Sequence, residues 1–258
     1  MAPMPRERRT RDDLRRTLLE EGRAILADEG LETESSNLTF KRVFDRVQQR
    51  TGDRITNASV IRRVWENQAE FQTDVLVAIA QDDARPEIGS TVEAIAGALA
   101  GLDLSTASAR ARALSEVCRV GGNAHAAAID ESTSWTLWIN VIALANSSTD
   151  VEQRQRIRVA LDEGYRSTTA FWNETLGALV DLLGHRVRPP FDLALFVAAV
   201  NALTEGSTLR QRTAGQIVSV MRPTGPGGEE RQWSLYAIAL EALAHQFLEP
   251  ATEGPASG

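Results

Sequence analysis

Thr39-Phe40-Lys41-Arg42-Val43-Phe44-Asp45-Arg46-Val47, followed after a polar stretch by Gly52-Asp53-Arg54-Ile55-Thr56-Asn57-Ala58-Ser59-Val60-Ile61-Arg62-Arg63-Val64-Trp65, decides how this chain is to be read. Phe40, Val43, Phe44 and Val47 recur at the three- and four-residue steps of a helix, and so do Val60, Ile61, Val64 and Trp65. Each run therefore has one apolar face to bury, and the two faces suit each other. Thr39 is placed to cap the first helix, because its hydroxyl accepts an amide hydrogen left free in the first turn. Thr56 or Asn57 is placed to cap the second. Two short helices joined by a polar, Gly-containing turn are expected. Asn57, Ser59, Arg62 and Arg63 then remain outward on the second helix. Asn pairs bidentately with adenine, Arg with guanine or phosphate, and a hydroxyl with base edges or backbone. The competing reading is a solvated face with no partner.

Working outward, the charge is uneven. Residues 1–65 hold 14 Lys+Arg against 11 Asp+Glu, a net of +3, whereas the whole chain of 258 residues carries −7, so the remainder carries −10. A basic end and an acidic body suit a molecule that sets one end on a phosphate backbone. One cysteine, Cys118, excludes an internal disulfide framework, and His125, His185 and His245 have no metal-ligand spacing. No metal, cofactor or catalytic residue is expected, and no Gly-rich phosphate loop is present. The charged start has no signal-peptide core, and no run of about 18 uncharged apolar residues follows. The expectation is a cytoplasmic protein that does not enter the membrane.

Leu14, Leu18, Ile25 and Leu26 predict a helix before the quoted stretch, ended by Gly30, and Phe71, Val75, Leu76 and Ile79 predict one after it, from about residue 68 to 82. Beyond Pro86 the period stays helical. Helices are expected over 88–102, 105–129, 134–145 (with Trp135 and Trp138), 151–184, 192–212 and 232–248, with a Pro/Gly loop at 222–228. The fold class is all-α: an amino-terminal three-helix helix-turn-helix domain, 1–67, and a helical ligand-binding and dimerisation domain, 68–258. In the last helix Ser234, Glu241 and His245 form one narrow polar stripe, and the helix before it carries Ala194, Ala198, Ala199, Ala202 and Gly206. Apolar surface of this extent predicts a homodimer closed by a four-helix bundle from 192–212 and 232–248.

Taken together, the chain resembles the TetR/AcrR family of one-component transcriptional regulators. Ser59 to Phe71 is similar to that family's recognition helix running into an aromatic, a turn and the connecting helix. Ala198 to Arg210 is similar to its penultimate helix, with a Gly and a following Leu. Two departures stand out: Arg62 and Gln68 occupy positions where the family commonly has Tyr and Lys, and the stretch from Val47 to Ile55 is longer by about six residues than the family's turn, room for an extra helical turn and a wider loop. The basic start, Arg6, Arg8, Arg9 and Arg11, could follow the DNA backbone.

The resemblance implies a ligand-responsive repressor released from a pseudo-palindromic, double-stranded DNA operator by a small-molecule effector. The candidate DNA contacts are Thr39, Arg42, Arg54, Thr56, Asn57, Ser59, Arg62, Arg63 and Gln68. In the family the ligand sits inside the body, which makes Trp135, Trp138, Asn140, Tyr165, Phe171 and Trp172 candidates for an uncharged or weakly polar molecule. The alternatives are a helical interaction protein of the same shape without operator binding, and an all-helical enzyme, for which no convergent acid, base or nucleophile stands out.

Overall fold

The computed structural model describes residues 10–30, 37–56, 60, 63–82, 86–214, 218–224 and 228–251. Among the described residues helix dominates. The elements in chain order are α1 (Arg11–Glu29), α2 (Phe40–Thr51), α3 (Gln68–Ala80), α4 (Pro86–Leu99), α5 (Ala107–Glu131), α6 (Thr133–Ser147), α7 (Val151–Leu182), β1 (His185–Val187), α8 (Leu193–Ala214), β2 (Ser219–Pro223), β3 (Glu230–Ser234), α9 (Leu235–Phe247) and β4 (Leu248–Pro250). They pack as two compact units, Met1–Asp83 with Thr133–Tyr165, and Ala84–Ser132 with Arg166–Gly258. The expected boundary at 67/68 runs inside the first unit, and α7 contributes residues to both.

In the first unit the Thr10 hydroxyl accepts the Asp13 amide at 3.1 Å to start α1, which stops at Gly30, where φ is 82°. Leu14, Leu18, Ile25 and Leu26 are its buried face. The Thr39 hydroxyl accepts the Arg42 amide and caps α2, and Phe40, Val43, Phe44 and Val47 point inward. Beyond Val47, α2 continues for one more turn to Thr51 and ends at Gly52, taking up part of the long connection. Asn67 caps α3 through the Glu70 amide, while the Glu70 carboxylate accepts the Glu66 amide. Phe71, Val75, Leu76 and Ile79 face the core. The Phe71 ring lies 5.1 Å from Phe40 and 4.8 Å, edge on, from Trp65. Trp135, Trp138 and Val141 of α6 and Ile157, Ala160 and Leu161 of α7 are also buried.

In the second unit Leu114, Val117, Val180, Leu183, Phe196, Phe247 and their neighbours form one core. Two antiparallel ribbons interrupt the helices, β1 with β4 (Val187 opposite Leu248) and β2 with β3 (Val220 opposite Trp233). A mostly helical, all-α class holds among the described residues, and what is corrected is the expectation of no strand in the body. The loop at 222–228 belongs to a hairpin, and residues 232–234 are strand, not the first turn of the last helix. That helix starts at Leu235, with Ser234 as its cap. The side-chain amide of Asn123, on α5, donates to the Gln232 carbonyl and accepts the Ser234 amide, both at 2.8 Å, so it pairs β3 as another strand would. The supposed wet stripe of the last helix also turns inward. Ser234 and Glu241 are buried, Glu241 held by the Arg222 guanidinium at 2.6 and 3.1 Å, and only His245 of the three is exposed.

The crossing of α5 and α9 depends on Gly122. A Cβ there would lie 2.6 Å from the Ala237 Cα and 2.8 Å from its Cβ, and backbone cannot swing aside. Gly122→Ala is expected to destabilise the protein by about 2 kcal/mol through overpacking, which lowers the melting temperature by roughly 5 °C. Gly97→Ala, on α4 with nothing within 4 Å of the added carbon, is the control and should hold or gain stability. Equal melting of the two variants would refute the close approach.

Candidate nucleic-acid interface

The described part of the expected second helix is its inward side and one turn. Val60, Val64 and Trp65 are buried, at 0, 7 and 2 % exposure, as their spacing requires. The Arg63 and Val64 amides both donate to the Val60 carbonyl, at 3.1 and 2.9 Å, and Arg63 is exposed. Asn57, Ser59 and Arg62 lie outside the described residues. Arg54 and Thr56 are exposed in a connection without regular structure. Gln68 is exposed, and its side-chain oxygen accepts the Phe40 amide at 3.3 Å, so it joins the start of α3 to the start of α2. Thr39 is partly buried and spends its hydroxyl on the α2 cap.

Arg42, Arg46 and Arg50 follow one another at four-residue steps along α2, and α1 answers each with a carboxylate. Arg42 is paired with Glu29 and donates to the Asn37 carbonyl; Arg46 meets Asp28 at 2.6 Å and Glu21 at 3.2 Å; Arg50 is paired with Glu21. The hydrogen bond to Asp28 is the main reason that the Arg46 guanidinium holds its proton more tightly than usual. Arg42, a candidate DNA contact, is therefore engaged between helices. Its partners lie 5 and 13 residues away on other elements, which periodicity does not register.

Asp74 was not among the candidates, yet it organises the region. Its carboxylate accepts the Trp65 indole N–H at 2.8 Å and Arg15 at 2.7 Å, and it is paired with Arg156. Burial raises its pKa, but hydrogen bonds from Trp65 and Arg15 and the positive charges beside it outweigh burial and hold it below the ordinary carboxylate value. A signal was present in the sequence. Asp74 follows Phe71 by three residues and precedes Val75, so helical spacing puts it on the inward stripe.

The candidate ligand residues fall into two sets. In the first unit the buried Trp135 and Trp138 rings lie 4.9 Å apart, and Trp138 meets Tyr165 edge on at 5.1 Å; Asn140 is half-buried. In the second unit Phe171, which is 42 % exposed, contacts Trp172 at 5.3 Å, and Trp172 meets His125 edge on at 6.3 Å. His125 sits in a buried polar chain that residue spacing did not reveal. Its Nδ1 is 3.1 Å from the Thr91 hydroxyl, its Nε2 is 3.5 Å from the Thr204 hydroxyl, and Thr204 is 2.9 Å from the Tyr236 hydroxyl. Burial lowers the His125 pKa to about 4, so the ring is neutral at physiological pH. A cavity of about 30 Å³ bounded by Ala126, Ser207, Gln211, Val218, Leu235 and Tyr236 adjoins this chain. It has room for about one water molecule.

Burial pushes the Cys118 thiol up to about 12, which makes it a poor nucleophile. Among the described residues no group of His, Cys, Asp and Glu could hold a metal ion, and no helix is long and apolar enough to cross a membrane. Comparison of the chain with protein-family models, with curated proteins and with solved structures finds no match.

Proposed function

We propose that this chain is a cytoplasmic DNA-binding transcriptional regulator of the TetR/AcrR type, a homodimer released from its operator by a small molecule. In this reading residues 1–67 are the DNA-binding head and 68–258 the ligand-binding and dimerisation body. The observation that carries it is the exposed Arg63 on a segment whose Val60, Val64 and Trp65 are buried, directly after the capped α2 and before α3. A segment with Val60, Val64 and Trp65 buried and Arg63 exposed suits major-groove reading. Support for pairing comes from α8, where Leu195, Ala198, Ala202, Gly206 and Leu209 fall on one exposed stripe. Two heads joined through α8 and α9 would meet half-sites about 34 to 36 Å apart. An effector would weaken binding through its different affinity for the two arrangements of the heads.

A second reading has its own support. The ion pairs of Arg42, Arg46 and Arg50 with α1 neutralise a row of charge that would otherwise meet phosphate, which suits an interaction protein without operator binding. Selection of duplexes from a random pool at about 0.15 M salt separates the two. The regulator should enrich a two-part site, and Arg62→Ala with Arg63→Ala should weaken binding to it by about 100-fold, since each good Arg–base contact is worth roughly 1 to 3 kcal/mol. Retention of no sequence over random duplex would reject the regulator.

A further inference from the structure

Asp74 lies on the inward stripe of α3 with its side chain only 10 % exposed. An aliphatic residue would fill that place at lower cost, because a buried carboxylate loses its hydration. What Asp74 adds is direction. One oxygen receives the Trp65 indole N–H and the Arg15 guanidinium, from the end of the outward segment and from α1, and the other pairs with Arg156 of α7. Trp65 is the anchor that closes the segment carrying Arg63, and its hydrogen bond orients the indole against the stacked Phe71 and Phe40 rings, 4.8 and 6.4 Å away. Nearby, α7 meets α3 again, where the Gln153 amide donates to the Thr73 hydroxyl at 3.3 Å and Gly164, lacking a side chain, sits against the Ala80 carbonyl. Arg15 and Arg156 are 45 and 38 % exposed, so either can leave Asp74 and be hydrated, whereas Trp65 cannot.

We infer that Asp74 is a positioning residue for nucleic-acid reading: it sets the pose of Trp65, and thereby of the segment that ends there, according to where α7 holds Arg156. This rests on the DNA-binding reading above. No contact between Arg156 and DNA is involved, so a displacement of α7 that draws Arg156 away from Asp74 changes affinity from behind the reading surface.

The test uses the full chain labelled with ¹⁵N at its indoles, of which there are five, with Trp65 assigned by Trp65→Phe. Arg156→Met keeps the aliphatic stem and removes the donor; Arg156→Lys keeps a charge. Arg156→Met should shift the Trp65 indole resonance and speed its hydrogen exchange by about tenfold, and weaken binding to the pool-selected duplex by about tenfold, the worth of one charge-assisted hydrogen bond. Arg156→Lys should recover most of each change. The slope of log affinity against log salt should be that of the wild type, whereas a lost phosphate contact would reduce it by about one. An unmoved Trp65 signal in Arg156→Met overturns the inference, as does a moved signal with unchanged duplex affinity, a reduced salt slope, or a lysine variant no better than methionine. Should the wild type select no duplex while Trp65 still responds to Arg156, the DNA reading has failed and the coupling has not.

Discussion

Trp65→Ala is expected to destabilise the protein by about 3 to 5 kcal/mol, the usual cost of emptying a buried indole site. Trp65 is 2 % exposed and packs at 4.8 Å against Phe71 and 6.4 Å against Phe40, so α2 and α3 both lose a neighbour. The deletion also strands the Asp74 carboxylate without its indole donor, although Arg15 and Arg156 remain beside it. At roughly 2 to 4 °C per kcal/mol for a chain of this size, melting should fall by about 10 °C or more. Trp65→Phe keeps most of the ring and removes the N–H, and its loss should be about 1 to 2 kcal/mol, the hydrogen bond and the smaller area together. Denaturant titration of the three proteins, followed by far-ultraviolet circular dichroism, measures both steps. A Trp65→Ala loss below about 1 kcal/mol would mean that the ring is not part of the core.

The second large effect is expected at Trp233. The residue is fully buried on β3, its indole N–H donates to the Thr224 hydroxyl at 2.8 Å, and the Arg222 guanidinium lies 4.3 Å above its ring. Arg222 in turn holds the buried Glu241 of α9. Burial raises the pKa of that carboxylate, but the hydrogen bonds from Arg222 and Ser115 bring it below its ordinary value. Trp233→Ala should therefore cost about 3 to 5 kcal/mol and release the hairpin from α9 at once, because ring, cation and carboxylate form one stack. Trypsin reports the second part directly. Cleavage after Arg231 should be about tenfold faster in the variant under native conditions, since proteolysis follows local opening. Trp233→Phe, which keeps an aromatic platform for Arg222, should resemble the wild type. Cleavage at an unchanged rate in Trp233→Ala would separate the hairpin from the core.

How much of this was legible beforehand differs by element. The caps at Thr39 and Gly30, the inward faces of α1, α2 and α3, and the burial of Val60, Val64 and Trp65 follow from spacing and side-chain chemistry within a few residues. The candidate site was legible only on its anchored side. That Arg42 faces Glu29, and that Gln68 serves the start of α2, depends on helices meeting across a gap of 13 and 28 residues. Glu241 was misread for the same reason: a glutamate in an apolar helix marks the wet face unless a cation arrives from elsewhere, and Arg222 arrives from a strand.

Read alone, the chain determined that it is mainly helical, where most helices begin and end, and which apolar residues among the described ones of its first 80 turn inward, because helical hydrogen bonds, caps and amphipathic spacing are local. Only the tertiary structure decided that β2 and β3 are strands, that Glu241 is buried, which cations hold Asp74, and that the arginines of α2 are paired. A strand needs a partner for its backbone groups and a buried charge needs an opposite one, and neither shows in one segment's own periodicity: β2 finds its partner across a turn, and Asp74 finds Arg156 82 residues away.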